Sequence, residues 1–349
     1  MLISMLKAVN GLPRVVVLGG GYAGIEAVQS LAGAPVDLTL IDQRPYQSQK
    51  TRLWQLAVGQ PGEGTESLQA VADKAGAQLQ LGEVGHIDPA AHQVQLKDGQ
   101  KLGYDYLVVA LGSTPGRPAG EVLTLDQPED ARKIRETVRA QAQAALNNGG
   151  SLPIVVVGGG ATGVEMAGIV HEVVEQVNPD LLSRLDLRLV HGGRQLSGMP
   201  EEAARRSAQA LEKLGVKLEL GQRVARVSPG QVELESGRTL PASCVLWAAG
   251  TRAPALLAEL GPTDRAGRLA VNQQLTLPDH PDVFIVGDAA LVRCGDQTVP
   301  PNKRAAKQEA DLAAANIRNS LQGLPMQAFQ FQDGKDWNHI GPVDLTPEG

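Results

Sequence analysis

Residues 15–26 read VVVLGGGYAGIE, and a closely similar string, IVVVGGGATGVE, returns at residues 154–165. Each is an apolar run, a glycine turn and the opening of a helix, with the spacing G-x-G-x-x-G: Gly19, Gly21 and Gly24 in the first copy, Gly158, Gly160 and Gly163 in the second. In such a motif the first glycine allows the tight turn, the second lets the backbone approach a pyrophosphate, and the third lets the helix pack closely on the sheet. The helix N-terminus then offers unbonded N–H groups and a partial positive charge to the phosphates. With 40 glycines in 349 residues, chance alone supplies such a match roughly half a time per chain, so one copy would say little. Two copies, each behind a β-branched run and ahead of a helix, predict two dinucleotide cradles in one chain.

Strand-like apolar runs occur at 14–18, 37–41, 106–111, 154–157, 187–190, 245–249 and 283–286. Several lack polar alternation, as expected for parallel strands covered on both faces. Helical stretches at 24–31, 129–146, 163–177, 201–214 and 305–321 lie between them. The alternation predicts an α/β chain with two Rossmann-like, doubly wound domains. Two further segments, AQLQLGEVGHIDPAAHQVQLKDGQKLGYDYLVV and VKLELGQRVARVSPGQVELESGRTLPASCVLWA, resemble each other and turn at Asp98-Gly99 and Ser236-Gly237. Both are expected to be small antiparallel meanders. The predicted organisation is a discontinuous first domain over 1–116 and 252–324, a second over 117–251 inserted into it, and a short C-terminal tail over 325–349.

The companion of the glycine motif is an acid about 20 residues on, at the end of the next strand, which binds ribose hydroxyls. The first copy has it in DLTLIDQRP, which ends on Asp42; a loop-opening acid capping a turn is the alternative. The second copy has His191 at that place, in LRLVHGGRQL, followed by Gly192, Gly193 and Arg194. An acid repels a 2′-phosphate whereas Arg or His attracts one, so this site is expected to accept NADPH at least as well as NADH, unless the loop is of no consequence.

Composition narrows the classes. The formal charge of -6 and the lack of a sustained basic cluster argue against a nucleic-acid partner. Two cysteines, Cys244 and Cys294, lie far apart in sequence and form no CxxC, which excludes a local redox disulfide and a cysteine-rich zinc site; no metal is expected. No apolar run approaches the ~20 residues of a membrane helix, and MLISMLKAVNGLP is too broken for a signal peptide. A cytoplasmic protein is expected, with contact to a membrane surface left open.

Two dinucleotides in one chain suggest a flavin and a nicotinamide. HPDVFIVGDAA places Asp288 at the end of an apolar strand far from the first glycine motif. This resembles the second FAD-binding segment of the two-dinucleotide-domain flavoproteins, the pyridine nucleotide-disulfide oxidoreductase superfamily, in which the Asp bonds the ribityl chain. YDYLVVALGSTP and CVLWAAGTRAP resemble the superfamily's two crossover strands. The resemblance covers residues 14–321. It implies that Gly19, Gly21, Tyr22, Ala23, Gly24, Asp42, Gln43, Arg44, Lys50, Val84, Ala110, Gly112, Gly287, Asp288 and Ala306 meet FAD. It implies equally that Gly158, Gly160, Ala161, Thr162, Gly163, Glu165, His191, Arg194, Ala249 and Gly250 meet NADH or NADPH.

Disulfide reductases of this fold carry paired cysteines beside the flavin, and this chain has none. YQSQKTRLWQLAVGQ (46–60) is similar to a loop of the type II NADH dehydrogenases, with Tyr46, Leu53, Gln55, Ala57 and Gly59 in agreement and Gln49, Thr51 and Arg52 more polar than that family's residues. VPPNKRAAKQEADLAAANI resembles the family's segment after the ribityl Asp through Ala306 and Gln308. The His191 loop and the Lys303-Arg304 pair resemble apoptosis-inducing-factor-like quinone reductases. The type II enzymes continue into an amphipathic membrane-binding region, where this sequence stops at Gly349.

What the resemblance implies is an FAD-dependent NAD(P)H dehydrogenase, with hydride passing from nicotinamide to flavin and electrons going on to a quinone-type acceptor. Glu165 is expected to hold the nicotinamide carboxamide, the alternative being a first-turn helix acid favoured by the dipole. Glu26, its counterpart in the first copy, reads as such a dipole acid. Lys303, at the start of a helix aimed at the flavin, and Lys50, in the loop above it, are the remaining catalytic candidates, each equally readable as a solvated lysine. Two other functions stay open: a soluble diaphorase or electron-transfer reductase serving a protein, and a slowly turning-over flavin redox sensor. Oligomeric state has no signature in the sequence.

Overall fold

The structure, a computed structural model, describes residues 11–334 and 337–346. The chain forms two compact units. The first comprises residues 11–47, 66–114 and 252–334. Its six-stranded sheet runs in the order Thr276–Leu277, His280–Ile285, Tyr106–Val109, Arg14–Leu18, Asp37–Asp42, Gln78–Leu81. All neighbours are parallel except the first pair. The central strands bury Val15, Val17, Leu40, Val108 and Phe284 completely, which is why their sequences are apolar without alternation. The helices Tyr22–Leu31 and Lys303–Leu321 are held together by Ser30 Oγ donating to Asp311 (2.6 Å), Arg318 Nη2 donating to Ser30 O (2.9 Å) and a Lys307–Glu26 ion pair.

The second unit comprises residues 48–65, 115–251 and the described part of the C-terminal segment, 337–346. Its four-stranded sheet, Lys217–Leu220, Leu185–His191, Leu152–Val157, Cys244–Trp247, is parallel throughout. The helix Pro128–Asn148 starts where Asp130 Oδ2 accepts the Gln127 N–H (3.1 Å) and ends at Gly149 in the left-handed region, so both ends have local signals. The helices Ala161–Val177 and Glu201–Lys213 carry a C-terminal hairpin, His339–Ile340 with Val343–Asp344, which buries Ile340, Val343 and Leu345. A Cβ on Gly168 would meet Val343 Cγ2 at 2.6 Å, so this glycine lets the hairpin approach the helix.

The two units share the backbone bonds that set each glycine turn. Gly19 N donates to Ile41 O (2.7 Å) and Gly158 N to Val190 O (2.8 Å); Ala110 N donates to Leu18 O (2.8 Å) and Ala248 N to Val157 O (2.7 Å). Each unit also has its meander, Val84–Asp88 with Gln93–Leu96 and Lys101–Gly103, and Val224–Ser228 with Gln231–Leu234 and Thr239–Pro241.

One expectation is corrected. The runs QLQL and KLEL, expected in the meanders, form Gln78–Leu81 and Lys217–Leu220, which join the parallel sheets as edge strands. An edge strand of a parallel sheet is solvated on one side, so it alternates like a hairpin strand and period alone does not separate the two. The helices of the glycine motifs also begin at Tyr22 and Ala161, directly after the second glycine of each motif.

Candidate nucleotide-binding sites

The first cradle is shaped by clashes that only glycine avoids. Gly19 has φ +98°, and a Cβ there would stand 2.4 Å from Ala110 O; a Cβ on Gly24 would stand 1.7 Å from Gly19 O. A Cβ on Gly21 would meet nothing within 4 Å. The first and third glycines therefore serve packing, and the second faces open space at the helix N-terminus, where a phosphate can sit against free N–H groups.

Asp42 closes this turn. Its Oδ2 accepts the Gly20 N–H at 2.6 Å and its Oδ1 the Arg44 N–H at 2.8 Å. Gln43 beyond it is exposed. Gly287, at φ +69°, brings the end of strand His280–Ile285 onto the same helix: its Cβ would lie 3.2 Å from Ala23 Cβ and 3.7 Å from Ala306 Cβ. The next residue, Asp288, accepts a 2.7 Å hydrogen bond from Ser113 Oγ, and neighbouring Gly112, at φ +64°, faces open space. Asn302 caps the helix Lys303–Leu321 by accepting the Ala305 N–H at 2.9 Å, and Lys303 Nζ sits 4.7 Å from the Tyr22 ring centroid. Close approaches thus link Gly19, Gly24 and Ala110, and Gly287 with Ala23 and Ala306, within the first unit. Val84 is a buried strand residue of the meander, and Lys50 belongs to the second unit, where its Nζ is 2.6 Å from Asp126 Oδ1.

The second cradle has the same design. Gly158, at φ +120°, would place a Cβ 2.5 Å from Ala248 O, and Gly163 would place one 1.8 Å from Gly158 O. Gly160 would meet only Ser197 O, at 3.8 Å. Ala161 and Thr162 form the first turn of the helix, and Gly250 stands at φ +80° facing open space. His191 takes the structural place of Asp42: its Nδ1 accepts the Gly159 N–H at 3.1 Å, as Asp42 accepts that of Gly20. An accepting Nδ1 is unprotonated, so the imidazole carries its proton on Nε2, which is 3.3 Å from Ser197 Oγ. Burial pushes its pKa below the ordinary histidine range, against the raising effect of a backbone hydrogen bond with Gln195.

Around this strand end lies a cavity of about 850 Å³, lined among others by Gly158, His191, Arg194, Ser197, Arg223, Trp247 and Ala249. Its size is in the range of small-molecule and cofactor pockets. Glu165 sits on the helix Ala161–Val177, where a Cβ on Gly341 of the hairpin would lie 2.5 Å from its Cγ. Burial pushes its carboxyl up to about 8.

Three contributors were missed in the sequence. Ser113 lay inside a recognised strand end with no motif of its own. Glu309, 3% exposed, accepts the Gly287 N–H at 2.6 Å through Oε2; burial pushes it up to about 8, against the lowering effect of that bond. Arg223 follows an edge strand that had been assigned to the meander; the signal that would have found it is the matching edge strand of the first copy, since Gln222 N bonds His191 O (3.0 Å) as Gly82 N bonds Asp42 O (2.9 Å).

Both cradles fit dinucleotides by their open second glycines, their free helix N-termini and the hydrogen-bonding group at each strand end. Both cysteines are free thiols. Among the described residues no helix is long and apolar enough to cross a membrane.

Comparison with known proteins agrees with this architecture. Residues 13–310 match the family model described as pyridine nucleotide-disulphide oxidoreductase. The chain is 30% identical to the type II NADH:quinone oxidoreductase Ndh of Mycobacterium tuberculosis, over 91% of this chain and 75% of that protein. It is 29% identical to the demethylphylloquinone reductase NdbB of Synechocystis, over 92% and 82% of the two chains. In fold it is similar to Plasmodium falciparum NDH2 solved in complex with NADH, with a TM-score of 0.81 at 17% identity over 95% of this chain and 89% of that one. The sulfide:quinone oxidoreductase of Aquifex aeolicus gives 0.79 at 22% identity, over 90% and 78%. The chain belongs to the pyridine nucleotide-disulphide oxidoreductase family and is related within it to the type II NADH:quinone oxidoreductases.

Proposed function

We propose that this protein is an FAD-dependent NAD(P)H dehydrogenase that delivers electrons to a quinone-type acceptor without a redox disulfide. The observation that carries the reading is the repeated cradle, open at Gly21 and at Gly160 and closed by a different strand-end group in each copy. The names of the relatives support the quinone, and the lack of paired cysteines in the sequence supports electrons leaving the flavin directly.

FAD, when bound, supplies a two-electron carrier able to accept hydride from NAD(P)H and return electrons to the acceptor. The residues of the first unit bind and orient it. Gly21 and the helix behind it take the pyrophosphate, Asp42 accepts from ribose hydroxyls, and Asp288, held by Ser113, accepts from the ribityl chain. The Asn302-capped helix directs its positive end, with Lys303 beside it, toward charge that develops on the reduced ring. In the second unit, Gly160, Ala161, Thr162 and His191 bind the nicotinamide nucleotide. Glu165, its carboxyl raised by burial, offers the carboxamide a hydrogen-bonding group. Lys50, paired with Asp126, is the candidate group on the acceptor side.

The test is steady-state turnover of the purified holoprotein with NADH or NADPH and a water-soluble quinone. Many turnovers per flavin are expected. One reduction followed by arrest would replace the dehydrogenase with a redox sensor, and turnover with a small electron-transfer protein but not with quinone would favour the diaphorase reading. The same reading allows contact with a membrane surface, checked by flotation with liposomes.

A further inference from the structure

Within the proposed NAD(P)H site, on which this inference rests, we infer that the adenosine end is built for a 2′-phosphate, so that NADPH is the preferred donor and Arg194 and Arg223 select it. Arg194 stands in the loop that the sequence already marks, Arg223 does not, and three observations converge on the pair.

The first is the group at the strand end. Where Asp42 presents a carboxylate in the first unit, His191 presents a neutral imidazole whose Nδ1 is occupied by the Gly159 N–H. A carboxylate at this place accepts from a free 2′-hydroxyl and repels a phosphate there. The imidazole, whose Nε2 is 3.3 Å from Ser197 Oγ, does neither and sets no negative charge against a phosphate.

The second is the loop after it. The stretch 191–197 is pinned by Ser197 N donating to Gly159 O (2.9 Å) and Gly221 N donating to Gly193 O (2.8 Å). Arg194 therefore stands on a short tethered loop directly after the strand end, and its side chain is exposed in the cavity wall. Arg223 is fixed from the other side, since Gln222 N bonds His191 O at 3.0 Å. A Cβ on Gly192 would fall 2.9 Å from Arg223 Cγ and 3.0 Å from its Nε. Glycine at 192 is thus what allows the Arg223 side chain to lie across the loop.

The third is the state of the two guanidiniums. Arg188 and Arg238 of the same unit are paired with Asp186 and Glu219. Arg194 and Arg223 have no side-chain hydrogen bond or ion pair among the described residues, although Glu201 and Glu235 share the cavity wall with them. Two unspent forks beside a strand end without a carboxylate match the planar, bidentate recognition of a phosphate. Charge-assisted hydrogen bonds of this kind correspond to roughly tenfold to a hundredfold in affinity each.

The test is calorimetric titration of the holoprotein with NADP+ and with NAD+, which cannot reduce a flavin, so the readout is independent of turnover. Tighter binding of NADP+ by about tenfold or more is expected. The ratio should fall toward one in Arg194→Ala and Arg223→Ala, and invert in His191→Glu. Equal binding of the two nucleotides, or tighter binding of NAD+, would overturn the preference and leave the proposed dehydrogenase intact. Binding of neither would overturn the second cradle as a nicotinamide site, and with it both readings. A preference unchanged in both arginine variants, each folded as judged by its flavin spectrum, would remove Arg194 and Arg223 from the explanation.

Discussion

Gly21 and Gly24 are three residues apart and have opposite reasons to be glycine. A methyl at Gly24 would press on Gly19 O at 1.7 Å, whereas a methyl at Gly21 would touch no protein atom. Gly24→Ala should therefore destabilise the fold, by about 1–3 kcal/mol or more because backbone must shift. Gly21→Ala should cost well under that, since its φ of -78° suits any residue, yet the protein should purify with little flavin. Gly160→Ala is the control: it should keep its flavin and bind nicotinamide nucleotide weakly. Melting curves and flavin-to-protein absorbance ratios read all three, and a Gly21→Ala protein with full flavin content would contradict the first cradle.

Glu309 makes a pH prediction at the same scale. Its folded pKa is raised from 4.5 to about 8 by burial. A raised folded value means stability that is fully present below the unfolded pKa and is lost as pH rises through the folded one. Glu309→Gln keeps an acceptor for the Gly287 N–H and cannot ionise. The Tm of the variant should gain on that of the native protein from about pH 5 to about pH 9, with the gap closing toward the acid end. A constant gap would show that Glu309 ionises alike in the folded and unfolded states, so that burial does not raise its pKa. Glu165, raised in the same direction, is present in both proteins and cancels in the difference.

Among the elements, the C-terminal hairpin carries most of what the sequence hid. Ile340 is 6% exposed and Val343 2%. The hairpin is secured by Arg206 Nη1 donating to Leu345 O at 2.9 Å. Ile340→Ala should destabilise the second unit by about 2 kcal/mol, and limited proteolysis should then cut first near the hairpin; unchanged melting and cleavage would contradict its role in that core. The elements legible beforehand were those whose pattern is local. The buried strands read as unbroken Val and Leu runs, the helices of the glycine motifs follow their turns, and Asp42 and Asp288 stand at strand ends that the sequence marks. The hairpin has two-residue strands and no periodicity, and its place depends on Gly168 and Arg206, more than 130 residues away. The parallel edge strands were misread because half-solvated parallel and antiparallel strands alternate alike. Arg223 was lost with one of them, and Ser113 and Glu309 act through contacts with residues distant in sequence.

At the scale of the whole molecule, one cradle has been used twice with the strand-end group exchanged, and this gives a single chain two candidate nucleotide sites of different character. The backbone hydrogen bonds of the two copies match, and the side chains at Asp42 and His191 do not. The central claim is that the two sites work on one electron pair. It is tested most directly by anaerobic titration of the purified yellow protein with NADPH and, separately, NADH, followed by addition of a soluble quinone. The flavin is expected to bleach after about one equivalent of NADPH, more slowly or incompletely with NADH, and quinone to restore the oxidised spectrum. A flavin that stays oxidised with both nucleotides would contradict it.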